Sequence, residues 1–208
     1  MKRPRILVNV FHPDLGQSRG NGILLEAIRD LPNLTVNDVY AHYPDGKIDV
    51  AREQKLLLDH DLFVFQHPFY WYSSPALFKE WQDKVFSFGF AYPPGQGDQL
   101  NGKHWLSVIT LASPDWSYTS GGSNNFTVAE LLRPFQQTAY YTGMKWNSPF
   151  PVHGVLPEDS GISYTATTEN LIQRAVELRK KLETYDLEET RRVGPVLPVQ
   201  LANIAIAA

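Results

Sequence analysis

What most constrains this chain is a regular alternation of short apolar runs with stretches of helical spacing. Residues 5–11, 62–66 and 105–111 are brief runs dominated by Val, Ile, Leu and aromatic residues, the composition of strands buried on both faces. Residues 34–40 alternate apolar and polar, as a half-buried strand does. Between them, residues 21–31 place Ile23, Leu24, Ala27, Ile28 and Leu31 on one helical face, and residues 49–58 and 76–86 are read as further helices. Ser73 or Ser74 can cap the helix at 76, with Pro75 in its first position. Strands alternating with helices predict an α/β fold with a parallel sheet, its neighbours joined by crossovers. Residues 148–155 are expected to add a fifth strand, and 126–141 and 169–185 two more helices, the first kinked or begun late by Pro134.

Composition narrows the function classes. The chain has 208 residues, a net charge of −3 and a pI near 6.1, so it lacks the basic footprint of a nucleic-acid binder. No apolar run is long enough to span a bilayer, and the apolar stretch behind the basic N-terminus is too brief for a secretory signal. With no cysteine there is no disulfide, thiol nucleophile or thiolate metal site, which fits a cytoplasmic protein. No histidine has a metal partner at a suitable spacing, and no zinc site is expected. Residues from 187 onward break the α/β pattern, since Gly194, Pro195 and Pro198 exclude regular helix. The chain is therefore expected to form one domain over residues 1–186 and an extension over 187–208, docked on that domain or on a second subunit.

In a doubly wound sheet, ligands bind outside the carboxyl ends of the strands where strand order reverses. For a five-stranded, flavodoxin-like order, that rule selects three loops. The first, after residues 5–11, holds His12 and ends Ser18-Arg19-Gly20-Asn21 as a helix begins. Free N–H groups at that helix end, a hydroxyl, an amide and a close-approach glycine are anion-binding chemistry, with Arg19 adding charge. The same residues also read as a Ser or Asn helix cap beside a solvated Arg. His12 could donate to a phosphate or ribityl oxygen, or be satisfied by backbone at the strand end. No GxGxxG or Walker motif is present.

The second loop carries Phe69, Tyr70, Trp71 and Tyr72, four consecutive aromatics that suit a flat ligand, or else cover a helix or a dimer contact. His67 before it is expected to pack or hydrogen-bond locally, whereas His42 and His153 have no interpretable context. Trp81, Phe86, Phe88 and Phe90 continue at near-helical spacing as core or interface. The third loop, residues 112–125, is rich in Gly, Ser and Asn. A phosphorylated aromatic cofactor, a flavin, answers all three loops at once.

Several segments together resemble the flavodoxin-like NAD(P)H:quinone oxidoreductases. They are His12-Pro13, the 18–21 turn, Tyr43-Pro44-Asp45, residues 48–54, Gln66-His67-Pro68, Trp71-Tyr72-Ser73, Trp81 with residues 83–86, and Leu100-Asn101-Gly102-Lys103. The likeness covers residues 4–184 and is nearest to the ancillary flavoproteins of glutathione-gated potassium-efflux systems. It implies FMN, or FAD, held by the 18–21 turn, the 69–72 loop and a turn after the fourth strand. FMN is favoured because no adenine-binding segment is recognisable. It also implies NAD(P)H as hydride donor, a quinone-like acceptor in a ping-pong cycle, and a homodimer with the site at its interface. The alternative it carries is a flavin-binding regulatory subunit of a potassium-efflux transporter, peripheral at the inner membrane.

Two departures from that family stand out. Its Thr-Thr-Gly-Gly turn reads Thr110-Leu111-Ala112-Ser113 here, so either the backbone avoids positive φ or the turn sits differently over the flavin. The family's catalytic tyrosine and histidine fall on Tyr118 and near Asn124. An asparagine takes up no proton, so Tyr118 or solvent does more of that work, or Asn124 hydrogen-bonds a neutral carbonyl.

Overall fold

The computed structural model describes residues 3–93 and 95–188. The expected extension, from residue 189 onward, lies outside the described residues. The sheet is parallel, with strands β1 (Ile6–Val10), β2 (Leu34–Asp38), β3 (Leu62–Pro68), β4 (His104–Thr110), β5 (Lys145–Trp146) and β6 (Phe150–Val152). Its order is β2-β1-β3-β4-β5, with β6 also paired to β4. Helices α1 (Arg19–Glu26), α2 (Val39–His42), α3 (Val50–Asp59), α4 (Ala76–Val85), α5 (Val128–Leu131), α6 (Arg133–Tyr141) and α7 (Thr168–Glu183) complete the doubly wound layers.

Five boundaries differ from the sequence reading, each for a local reason. The single fifth strand is two segments: β5 pairs with the first residues of β4 and β6 with its last three. Pro149, between them, has no N–H to continue a ladder. β2 ends at Asp38, whose carboxylate accepts from the Ala41 N–H at 3.1 Å and starts α2. Neither serine caps α4: Pro75 is its N-cap, and no side chain accepts a cap bond. The helix expected over 126–141 breaks into α5 and α6, with Pro134 in the first turn of α6, where its missing N–H costs nothing. The first helix also begins earlier than expected, at Arg19, and regular helix stops at Glu26, with Pro32 limiting any extension.

Strand alternation sends side chains to two separate cores. One face packs Leu7, Phe11, Phe63, Phe65, Trp105 and Ile109 against α4 and α6; the other packs Ile6, Val8, Val10, Val64 and Leu106 against α1 and α7. The first core is a stack of rings, with Phe11–Phe78 centroids 4.2 Å apart, Phe65–Trp105 4.1 Å and Phe78–Phe135 5.3 Å. Such pairs add roughly 0.5–1.5 kcal/mol each beyond the area they bury. Trp81, Phe86 and Phe90 are buried in this core, whereas Phe88 is exposed.

Glu53 of α3 lies wholly inside the fold and is ringed by donors. Its carboxylate accepts from Asn37 Nδ2 (2.8 Å), Trp81 Nε1 (2.8 Å), the Tyr43 hydroxyl (2.7 Å) and the Arg52 guanidinium. Asn37 also donates to Asn9 Oδ1 at 2.9 Å, so β1, β2, α3 and α4 share one buried polar knot. A buried carboxylate is tolerable only when satisfied this fully.

Candidate functional site at the carboxyl edge of the sheet

The three loops singled out by the sequence emerge side by side from the carboxyl ends of β1, β3 and β4. Strand order reverses between β1 and β3, so this edge is the switch point of the fold. Ser18 is the N-cap of α1: its Oγ accepts from the Asn21 N–H at 3.2 Å and from Asn21 Nδ2 at 3.3 Å. Both bonds use the oxygen's lone pairs, so the hydroxyl proton of this half-buried residue is free to be donated outward. The N–H groups of Arg19 and Gly20, in the first turn of α1, have no intrahelical partners.

The other residues of this loop are placed differently from what their types suggest. Asn21 is 1% exposed, and its amide donates to Thr110 Oγ1 at 2.9 Å, while Gln66 Nε2 donates to its main-chain carbonyl at 2.8 Å. Asn21 thus ties the start of α1 to the ends of β3 and β4. Arg19 turns to the segment before α7, with Nη1 on the Leu156 carbonyl at 3.0 Å and Nη2 3.3 Å from Glu158. His12 accepts the Asp14 N–H on Nδ1 at 3.1 Å, and burial lowers its pKa. The ring is then neutral with its proton on Nε2, which makes Nε2–H a donor.

Gly20 serves close packing. A Cβ there would meet Val155 Cγ1 at 2.6 Å and Thr110 Cγ2 at 3.2 Å. Gly20→Ala gains about 1 kcal/mol of helix propensity but incurs overlap of about 1–3 kcal/mol. We expect a net loss of stability in urea unfolding. Val155→Ala in the same chain should recover it, and strict additivity of the two changes would overturn the packing role.

The aromatic loop is strained and open. Trp71 (φ 48°) and Tyr72 (φ 62°) are consecutive non-glycine residues in the left-handed region, which costs roughly 1–2 kcal/mol per residue. Trp71 is 92% exposed, while Phe69 is partly buried against the aromatic core and its N–H donates to the Thr110 carbonyl at 2.8 Å. Tyr70 and Tyr72 are exposed, and the Tyr72 hydroxyl donates to Asn124 Oδ1 at 3.1 Å. That bond bridges the second and third loops.

In the third loop, Thr110 ends β4, and Leu111 is tied on both sides to the end of β6 and the segment after it: its N–H reaches the Val152 carbonyl at 2.8 Å and its carbonyl takes the Val155 N–H at 2.9 Å. Neither Ala112 nor Ser113 has positive φ, so the first of the two expected alternatives holds and the lost glycines leave no strain. Among the described residues their N–H groups have no hydrogen-bond partner. Asn124 donates through Nδ2 to Ser117 Oγ at 2.7 Å and is not bonded to Tyr118. Burial raises the Tyr118 pKa, so its hydroxyl keeps its proton at neutral pH.

Sequence reading missed His153. It follows β6, and its ring centroid lies 5.5 Å from that of Tyr118. Its Nδ1 is 3.2 Å from the Ser113 carbonyl. Only the pairing of β6 with the end of β4 brings it there, and no local pattern signals it. His67, by contrast, is wholly buried between Phe78 and Phe135, as a packing histidine.

A doubly wound parallel sheet with helices on both faces and its order reversing between β1 and β3 defines an α/β protein of flavodoxin-like order. The chain belongs to the Flavodoxin_2 family, the family of the flavodoxin-like fold, matched over residues 4–182. It is 48% identical over 149 residues to the glutathione-regulated potassium-efflux system ancillary protein KefG of Enterobacter sp. (strain 638), covering 72% of this chain and 81% of that protein. Among solved structures it is similar to the general stress protein 14 of Treponema denticola in complex with FMN (TM-score 0.78, 34% identity, 86% of this chain and 98% of that one). It is also similar to an NADPH-quinone reductase from P. pentosaceus (TM-score 0.74, 28% identity, 88% and 99%).

Proposed function

We propose that this protein is an FMN-dependent oxidoreductase that takes reducing equivalents from NAD(P)H and passes them to a quinone-like acceptor. The observation that carries the reading is the Trp71-Tyr72 loop: strained, solvent-facing, and set beside unpartnered amides at the switch point. Backbone strain of this kind persists where function uses it. The FMN-bound and quinone-reductase relatives support the same chemistry.

The donor set suits a phosphorylated flavin. The Ser18 hydroxyl, the first N–H groups of α1 and the Nε2–H of His12 would hold the phosphate and ribityl oxygens. Arg19 is engaged by Glu158, so charge neutralisation falls mainly to the helix terminus. Phe69, Trp71 and Tyr72 would wall a flat ring, and the amides of Ala112 and Ser113 would donate to its polar edge. FMN would supply the chemistry itself, accepting a hydride from NAD(P)H and releasing two electrons to the acceptor. Donors fixed where negative charge grows favour that reduction. Tyr118, held protonated, can donate to the same edge, while Asn124 holds Tyr72 in place across the loops.

The test is the visible spectrum after adding FMN and desalting. We expect retained yellow colour that NADPH bleaches and menadione restores; a colourless protein without measurable FMN affinity would sink the reading. Ser18→Ala should weaken FMN about tenfold, the worth of a charge-assisted hydrogen bond, and leave riboflavin affinity unchanged. Equal losses for both ligands would move the phosphate elsewhere.

A second reading is favoured by the identity to the KefG protein: a cytoplasmic flavin-binding subunit that docks on a potassium-efflux transporter and so sits peripherally at the inner membrane. No helix among the described residues is long and apolar enough to cross a membrane, so such an association would run through a partner. In either reading a second copy of the chain would cover the exposed Trp71, Trp116 and Phe126, giving a homodimer that light scattering would register.

A further inference from the structure

His153 occupies a place that no local feature of the sequence assigns. Its Nδ1 sits 3.2 Å from the Ser113 carbonyl, and since a carbonyl can only accept, Nδ1 carries a proton. The Gly154 N–H points to the same oxygen at 3.4 Å. Two donors from one segment therefore pin the Ser113–Pro114 peptide, the next along the chain from those that carry the Ala112 and Ser113 amides. On its other side the imidazole lies against the half-buried Tyr118, centroid to centroid 5.5 Å. Asn124, near which the family's histidine falls, bonds Tyr72 and Ser117 instead.

We propose that His153, and not Asn124, is the titratable group beside the third loop, acting as a positioning residue that couples its own protonation to the 111–113 turn and to Tyr118. Neutral, it fixes the turn through Nδ1–H. Protonated, it places a positive charge at the Ser113 carbonyl and beside the Tyr118 ring, without having to move. The charged groups facing it are Asp115 from the third loop, which favours the protonated ring, and Arg174 of α7, which opposes it. Arg174 is itself held by the Pro151 carbonyl at 3.0 Å and by Glu177. Burial outweighs these and lowers the His153 pKa, so the switch lies on the acid side of neutrality.

The coupling is a property of the chain alone, whereas its consequence for a flavin rests on the function proposed above. The experiment keeps the two apart. In the flavin-free protein, NMR titration between pH 4.5 and 8 should show the Tyr118 ring and the Ala112 and Ser113 amides moving with one apparent pKa, that of His153. His153→Asn keeps a donor near the Nδ1 position and should hold those resonances in place while abolishing the inflection. His153→Phe should shift them at every pH. An inflection that survives in His153→Asn, or resonances that do not titrate in the wild type, would overturn the proposal whatever the protein binds. With riboflavin as the probe, chosen because it has no phosphate of its own to titrate, the midpoint potential of the bound ring should change slope with pH at the His153 pKa. That change should be lost in His153→Asn; a wild-type curve identical to the variant's would overturn the coupling to the ligand.

Discussion

Replacing Glu53 by alanine is expected to lower the melting temperature by about 6–20 °C. The estimate follows from the roughly 3–5 kcal/mol lost when one partner of a buried charge cluster is removed, and from about 2–4 °C per kcal/mol in a chain of this size. The physical cause is less the lost attraction than what remains. Trp81 Nε1 and the Tyr43 hydroxyl would be left buried with nothing to donate to, and Asn37 Nδ2 would keep only Asn9 Oδ1. Glu53→Gln should fall between, since the amide keeps the shape but turns an N–H₂ toward groups that are themselves donors. Thermal unfolding followed by circular dichroism decides it, and a shift below about 3 °C for the alanine variant would mean that the knot is dispensable.

Acid should destabilise the protein well before its carboxylates titrate. His67 is wholly buried with Nε2 unpartnered, and burial pushes its pKa down to about 4. The unfolded chain, with a histidine pKa near 6.5, binds a proton in this interval that the folded chain refuses. Stability is therefore full above about pH 6.5 and falls as pH drops toward 4, by about 3 kcal/mol for this residue at 1.4 kcal/mol per pKa unit. His104, also held at about 4 by burial and by the nearby Lys145, adds in the same direction. Phenylalanine at 67 sits naturally between Phe78 and Phe135. His67→Phe should change stability at pH 7 by no more than about 1 kcal/mol, the lost Nδ1–H bond to the Pro68 carbonyl being offset by removal of the orphaned nitrogen. It should also cut the loss between pH 6.5 and 4 by about half. Urea unfolding at pH 7, 5.5 and 4.5 measures both, and parallel slopes for wild type and variant would exclude His67 as the source.

How far the site was legible depends on whether its signals were local. Four aromatics in a row at a strand end, and a Ser-Arg-Gly-Asn turn opening a helix, are visible without a structure, and both come out at the carboxyl edge of the sheet. Their individual assignments were less legible. Ser18 does cap α1, yet keeps a proton to donate; Arg19 and Asn21 spend their donors on Leu156, Glu158 and Thr110, residues about 90 to 140 positions away. Residue type shows which bonds are available, not which partner arrives first. The fifth strand shows the same limit. Residues 145–152 hold too few apolar positions, with Pro149 and Pro151 among them, to reveal that two separate segments pair with one strand.

By itself the sequence determined the class: apolar runs of strand length alternating with amphipathic helices admit a parallel sheet with two covered faces, and connectivity then limits where a ligand can bind. That follows from burial, which acts on each segment according to its own pattern. Only the tertiary structure decided that Ala112 and Ser113 avoid positive φ, that Trp71 and Tyr72 do not, and that His153 stands against Tyr118 while Asn124 turns to Tyr72. Those outcomes hang on hydrogen bonds between segments distant in the chain, and such bonds exist only once the sheet has fixed which ends lie side by side.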